Sequence, residues 1–544
     1  MVEVLGPRVL IADLEHFQRL KTLFIKDCRD ITTLPVSLRL PALSELTLDM
    51  GQISVLPEDF GQLSTLRRLV LNLRSLTALP DSIARVTTLQ EISLDHLLNL
   101  RHLPQEFGQL VLLEKLYLKD LQQLTHLPET FGQLIALREL KLLECRQLQQ
   151  LPDSVSQLSS LEHLEINDCP CLTVLPDNMG KGLRSLRHLL LLECTVLTHL
   201  PPSFSCLTSL ETLKIVHAKR VRGALLDGFG CLKSLKELSL DSMLRLSSLP
   251  ASFSGVDSLT RLEVGKFPKV TVLPEGIGRL AALKEVRIFK MSGLICLPPA
   301  LFELPCLLAL DVRRCGSLSG VLGDSFGPFL GCLFSLTQLK LLEMYKLELL
   351  PDSISQLSQL QRLKIDAAYH LKALPETLGG LAGLRTLQLV SLISMRQLPE
   401  SLGQLKMLET LEIIDYSFTR LPKLEKLEVI ICKKLTRLPT SLRKMPTLRE
   451  CNISECPLLS RRDKRQEDEG EEGEGEEEEE GGDAEEEEGE EGGDVAGERE
   501  EAGGEAPEDE ESGAEDDDIE HEYAVDSDYD DDIGSCWGGS DDDD

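Results

Sequence analysis

Apolar residues recur along this chain in one fixed phrase. The segment from Leu137 to Ser160 reads LRELKLLECRQLQQLPDSVSQLSS, and the next opens LEHLEINDCPCLTVLP at Leu161. The shared pattern is LxxLxLxxCxxLxxLPxSxxxLxx. Its opening alternates apolar and polar residues with the period of two that a strand requires, so Leu140 and Leu142 should point inward and Glu139 and Lys141 to solvent. The Pro and Ser that follow end the strand and predict a turn or a short helical turn. The Phe or Ile of segments such as PETFGQL should plug the interior.

Leu-Pro marks the period. It falls at Leu34, Leu56, Leu79, Leu103, Leu127, Leu151, Leu175 and Leu200, 22 to 25 residues apart, and again at Leu249, Leu273, Leu297, Leu350, Leu374, Leu398, Leu421 and Leu438. Degenerate units around Leu225 and Leu322 fill the gaps and bring the number of turns to about eighteen. No single unit has a second face to bury against, so each must stack on its neighbours. The prediction is an α/β right-handed solenoid, a horseshoe with a parallel concave sheet, over residues 1–460. Because stacked strands lie about 4.8 Å apart, each repeat position becomes a column.

Composition then divides the chain. From Gln466 to Asp544 there are 42 Asp and Glu against one Arg, so this segment carries −41 of the net −34 and residues 1–465 carry the balance, +7. Glu, Asp and Gly repel one another or disfavour helix, and residues 461–544 are expected to form a disordered acidic tail. Near its end, sparse hydrophobes around Trp537 could form a short docking motif. Ser512, Ser527 and Ser540 each precede an acidic residue by three positions and are candidate phosphorylation sites for acidophilic kinases.

Met1 to Leu20 has acidic residues and no long apolar run, unlike an export signal, and no later segment approaches the roughly 18 apolar residues of a membrane span. The expected location is cytoplasmic, with the nucleus as a second compartment. The 15 cysteines follow the repeat and not a framework of their own, and read as free thiols.

Catalytic chemistry is not indicated. There is no GxxxxGK followed by Ser or Thr to cradle phosphate. His163 and His188 share an outward strand position in adjacent turns, yet with Glu162 and Glu165 they make an incomplete metal site. The column holding Cys28, Cys145, Cys169, Cys194, Cys315, Cys432 and Cys456 elsewhere holds Ala218, Met243 or Leu392. That tolerance fits a small buried slot, not thiol chemistry. No enzyme activity, cofactor or metal is expected.

Binding is. The exposed strand face of a solenoid is its broad loop-free surface, and the central column is the predicted partner site. It includes Phe24, Val70 and Tyr117, aromatic and apolar residues of the hot-spot type. Beyond them come Lys141, Glu165, Lys214, Glu263, Arg287, Asp311, Lys340 and Lys364. Residues 201–465 hold 37 basic against 25 acidic residues, and Lys219, Arg220, Arg222, Lys266, Lys269 and Lys290 form a basic patch. That patch reads as a solvated edge or as a dock for an acidic partner or for the tail itself, which is expected to dwell over it loosely and in a salt-sensitive way. Nucleic acid is not favoured, because no aromatic residues interleave the cations.

The phrase LxLxxCxxLxxLPxSxGxL, seen in LKLLECRQLQQLPDSVSQL and LEIIDYSFTRLP, and the closing LRECNISECPLLSRR from Leu448 to Arg462, resemble the repeat domains of plant intracellular nucleotide-binding leucine-rich-repeat immune (disease resistance) receptors. The resemblance covers about 85% of the chain and lacks the nucleotide-binding switch. It implies ligand recognition in defence or signalling. The acidic tail is similar in architecture to that of acidic leucine-rich nuclear phosphoproteins, which implies a second role, binding histones or other basic proteins.

Overall fold

The computed structural model describes residues 2–5, 17–26, 34, 40–49, 52–221, 227–318, 328–392, 394, 399, 401, 404–414, 426–430 and 450–454. The chain divides into two units, Met1–Glu471 and Glu472–Asp544, and all described residues belong to the first. Residues 222–226 and 319–327 of the units around Leu225 and Leu322, with Leu225 and Leu322 themselves, and the tail with its three serines lie outside the described residues.

Among the described residues, twenty strands of four or five residues, from Val2–Leu5 to Glu450–Ser454, form one sheet in which each strand pairs in parallel with the next in sequence. The strands are the alternating segments expected. Glu139–Leu143 buries Leu140 and Leu142 and leaves Glu139, Lys141 and Leu143 half-buried on the other face. One strand lies ahead of the first repeat read from the sequence: Val2–Leu5 pairs with Thr22–Lys26 and sets Glu3 beside Phe24.

Among the described residues, Leu-Pro launches a single 3₁₀ turn on the far side of the core at every pair but Leu175-Pro176, where the turn Met179–Gly182 is α-helical. In Glu129–Gln133, Pro128 holds φ −67°, and the Phe131 amide donates to its carbonyl at 3.0 Å. The proline thus supplies a fixed dihedral where no amide is needed. Phe131 is fully buried, as are Phe60, Phe107 and Phe253 at equivalent places, and Phe229 lies 5.8 Å from Phe253 ring to ring. Successive 3₁₀ turns approach so closely that a Cβ at Gly132 would lie 2.2 Å from the Ser154 carbonyl oxygen, which explains the glycine after the phenylalanine. Threonines just before the strands satisfy carbonyls of the preceding turn: Thr88 Oγ1 donates to Leu66 O at 2.7 Å. The leucine column between these layers is one continuous core, and each fully buried Leu contributes roughly 1.5–3 kcal/mol.

One device was not expected. The residue after each of thirteen described strands, from His96 to Ser391, adopts a left-handed backbone with φ between 49° and 58°, and none of the thirteen is glycine. At Glu144 the amide extends the sheet by one more bond, to Asn167 O at 2.8 Å, and the chain then turns so that Cys145 enters the core.

Candidate functional site: the uncovered sheet face

One face of the sheet packs on the leucine core. On the other, positions one, three and five of every strand form three outward columns. Register places the predicted central residues in line: Tyr117 beside Lys141, Lys141 beside Glu165, and Glu165 beside Leu190, followed by Lys214, Ser239, Glu263, Arg287, Asp311, Lys340 and Lys364. Phe24, Thr47 and Val70 occupy the same column at the start.

Several of these side chains are already engaged. Tyr117 donates from its hydroxyl to Glu139 Oε2 at 2.8 Å, and burial together with that carboxylate raises its pKa well above the ordinary tyrosine value. Lys141 lies 3.4 Å from Glu139, 3.3 Å from Glu165, and 5.8 Å above the Tyr117 ring. Burial opposes its charge, but the two carboxylates outweigh burial and raise its pKa. Lys26 sits 5.6 Å above the Phe24 ring. Ser239 donates to Glu263 at 3.2 Å, and Asp311 lies 3.8 Å from Arg313. Lys340 and Lys364 are side by side, and Lys364 is 3.8 Å from Asp366, whose pKa is raised chiefly by burial.

The flanking columns carry features absent from the predicted set. Leu143, Leu192 and Val216 share the fifth-position column, interrupted only by Asn167, and with Leu190 they make an apolar island. Charged and polar side chains ring it: Glu165, Lys214, His217 and the stacked pair His163 and His188, whose ring centroids are 4.2 Å apart. Farther along, Phe289 lies flat on the sheet because Gly265 beneath it has no side chain; a Cβ there would meet the ring at 2.3 Å. Period-two reading could have found this island by treating all three outward positions, not the middle one alone.

A polar chain runs along the edge where the strands end. His217 contacts Glu193 through Nδ1, its Nε2 lies 3.4 Å from Lys266 Nζ, and Lys266 reaches Asp241 at 3.3 Å. Ser242 donates to the other Asp241 oxygen at 3.0 Å. Lys266, assigned from the sequence to the basic patch, is therefore neutralised by Asp241. Lys219, Arg220, Lys269 and Lys290 are exposed and make no side-chain ion pair with a described residue. Arg222 lies outside the described residues.

Among the described residues no group of three or more His, Cys, Asp or Glu is placed to hold a metal ion. Cys145, Cys169, Cys194 and Cys315 are buried free thiols facing backbone carbonyls, and burial pushes Cys315 up to about 11. No helix among the described residues is long and apolar enough to cross a membrane.

No family model matches the chain, and no curated protein matches it. Among solved structures, the leucine-rich-repeat protein LIC12759 of Leptospira interrogans is 24% identical, covering 82% of this chain and 99% of its own, with a TM-score of 0.54. The TLR13–ssRNA13 complex is 20% identical over 71% of this chain and 61% of that one, with a TM-score of 0.49. The Arabidopsis receptor kinase HAESA, solved with the peptide hormone IDA and the co-receptor SERK1, is 19% identical over 80% and 82%, at 0.34. The sequential parallel register, the Leu-Pro period and the likeness to LIC12759 make the described unit a leucine-rich-repeat solenoid with its open sheet face concave.

Proposed function

We propose that the chain is an intracellular protein-recognition module, without enzymatic activity, that binds partner proteins on the concave face. The observation that carries this reading is the apolar island Leu143, Leu190, Leu192 and Val216 inside a polar ring, the arrangement in which a partner's side chains are desolvated and hot spots form. Tyr117, held by Glu139 and Lys141, offers a second anchor whose position is fixed before binding. A role in defence or signalling follows from the resemblance to immune-receptor repeats and belongs to the same reading.

A photo-crosslinking residue at Leu190 in cells should trap a partner, and Leu190→Glu with Val216→Glu should weaken that partner by at least about tenfold, since a charge would be buried at the centre of the contact. A partner bound equally well by the double variant would move the site off this face. The 42 acidic residues after Gln466 support a second reading, capture of basic proteins such as histones. Histone binding that survives the concave substitutions and vanishes when residues 466–544 are deleted would favour it.

A further inference from the structure

Beyond the concave face, the edge that follows the strands changes sign along its length. In four consecutive turns the left-handed residue is a carboxylate: Asp120, Glu144, Asp168 and Glu193. In the next five turns, residues 217–221, 242–249, 266–274, 290–298 and 314–318 contain no Asp or Glu at all. The turn after them restores a carboxylate at Glu343, which is paired with Arg314.

Within this stretch the backbone fixes where the cations stand. Ala218, Met243 and Phe267 are buried, as are Val221, Leu246 and Val270 three residues later. The later amides bond back to the earlier carbonyls at 3.2, 3.1 and 3.3 Å. Each such turn thrusts two exposed residues outward, and the second is Arg220, Arg245 or Lys269, one above the other in adjacent turns. Lys219 and Lys290 flank them. Leu244, Val272 and Ile295 lie in the same segments, 40%, 55% and 54% exposed.

We propose that this edge docks an extended acidic peptide segment of a partner protein, one in which aliphatic side chains alternate with carboxylates. Charge complementarity selects the acid: Arg220, Arg245, Lys269 and Lys290 have no counter-ion among the described residues. The exposed aliphatics select the apolar residues, which a phosphodiester strand does not possess. The carboxylates bounding the stretch on both sides disfavour an anionic bilayer, which would cover them too, whereas a peptide is narrow enough to avoid them. Five turns at about 4.8 Å spacing span about 19 Å, the length of roughly six extended residues.

Fluorescence anisotropy with a short synthetic peptide of alternating glutamate and leucine, added to the full chain at low ionic strength, tests this. Binding should weaken about tenfold in Arg245→Glu/Lys269→Glu and several-fold in Leu244→Ser/Ile295→Ser. It should be unchanged in Lys181→Glu/Arg279→Glu, which alters net charge equally on the outer turns. The proposal is overturned by absence of peptide binding, by equal loss in the outer double variant, or by indifference to Leu244→Ser/Ile295→Ser. Binding of phosphatidylserine vesicles or an oligothymidine in place of the peptide would equally overturn it, in favour of a lipid surface or a nucleic acid. Melting temperatures of the variants separate lost binding from lost folding.

Discussion

The left-handed residue after each strand is where single side chains carry a backbone cost. A non-glycine residue there costs roughly 1–2 kcal/mol, and thirteen turns accept it because the same conformation steers the next residue into the core and, in twelve of them, extends the sheet by one amide. The occupants include Asp, Glu, His, Lys, Arg, Ser and Ala, and none of the thirteen is β-branched or is Phe, Tyr or Trp. At Glu144, whose φ is 57°, replacement by Gly should stabilise the chain by up to about 1 kcal/mol, and replacement by Val should destabilise it by about 1–2 kcal/mol. Denaturant midpoints of the two variants check this; coincident midpoints would show that the dihedral is not the constraint.

Between neighbouring strands the column geometry creates a titrating pair. His188 stacks on His163, and burial, then the charge of that neighbour, lowers its pKa below the ordinary 6.5, against the opposing pull of Glu211 and Glu237. The unfolded chain therefore takes up the proton first. The contribution to stability is complete above pH ~6.5 and is lost as the pH falls below that value toward the lowered folded pKa. Between pH 7.5 and 5, His188→Gln should lose less stability than the natural chain; equal loss would assign the acid sensitivity elsewhere. That His163 and His188 face one another was legible from LEHL and LRHL, because register follows directly from the repeat. The strands, the 3₁₀ turns and the buried Phe residues were legible for the same reason: each repeats a period that only one packing satisfies. The left-handed column was not, because its residues share a backbone angle and no side-chain type. Phe289 was also missed, since its position depends on a glycine 24 residues earlier in the chain. The pairing of Lys266 with Asp241 was hidden because charge counting cannot tell a free cation from a neutralised one.

At the scale of the whole described unit, energy is stored almost entirely between adjacent turns. The leucine core contributes far more than the edge ion pairs such as Arg138 with Glu162, which are exposed and worth at most about 1 kcal/mol each. Because, among the described residues, every strand pairs only with its sequence neighbours, the sheet ties no distant turns together. This has a mechanical meaning. A molecule tethered by its ends and put under tension meets no shear clamp of the kind that distant strands provide; the last turn can peel from the next while the rest is undisturbed. With a period of 24 residues, as between Leu127 and Leu151, each detached turn would release on the order of 80 Å of contour. An optical trap should then record a low, nearly level force with short steps, and one abrupt release of the full length would reveal coupling that reaches well beyond neighbouring turns.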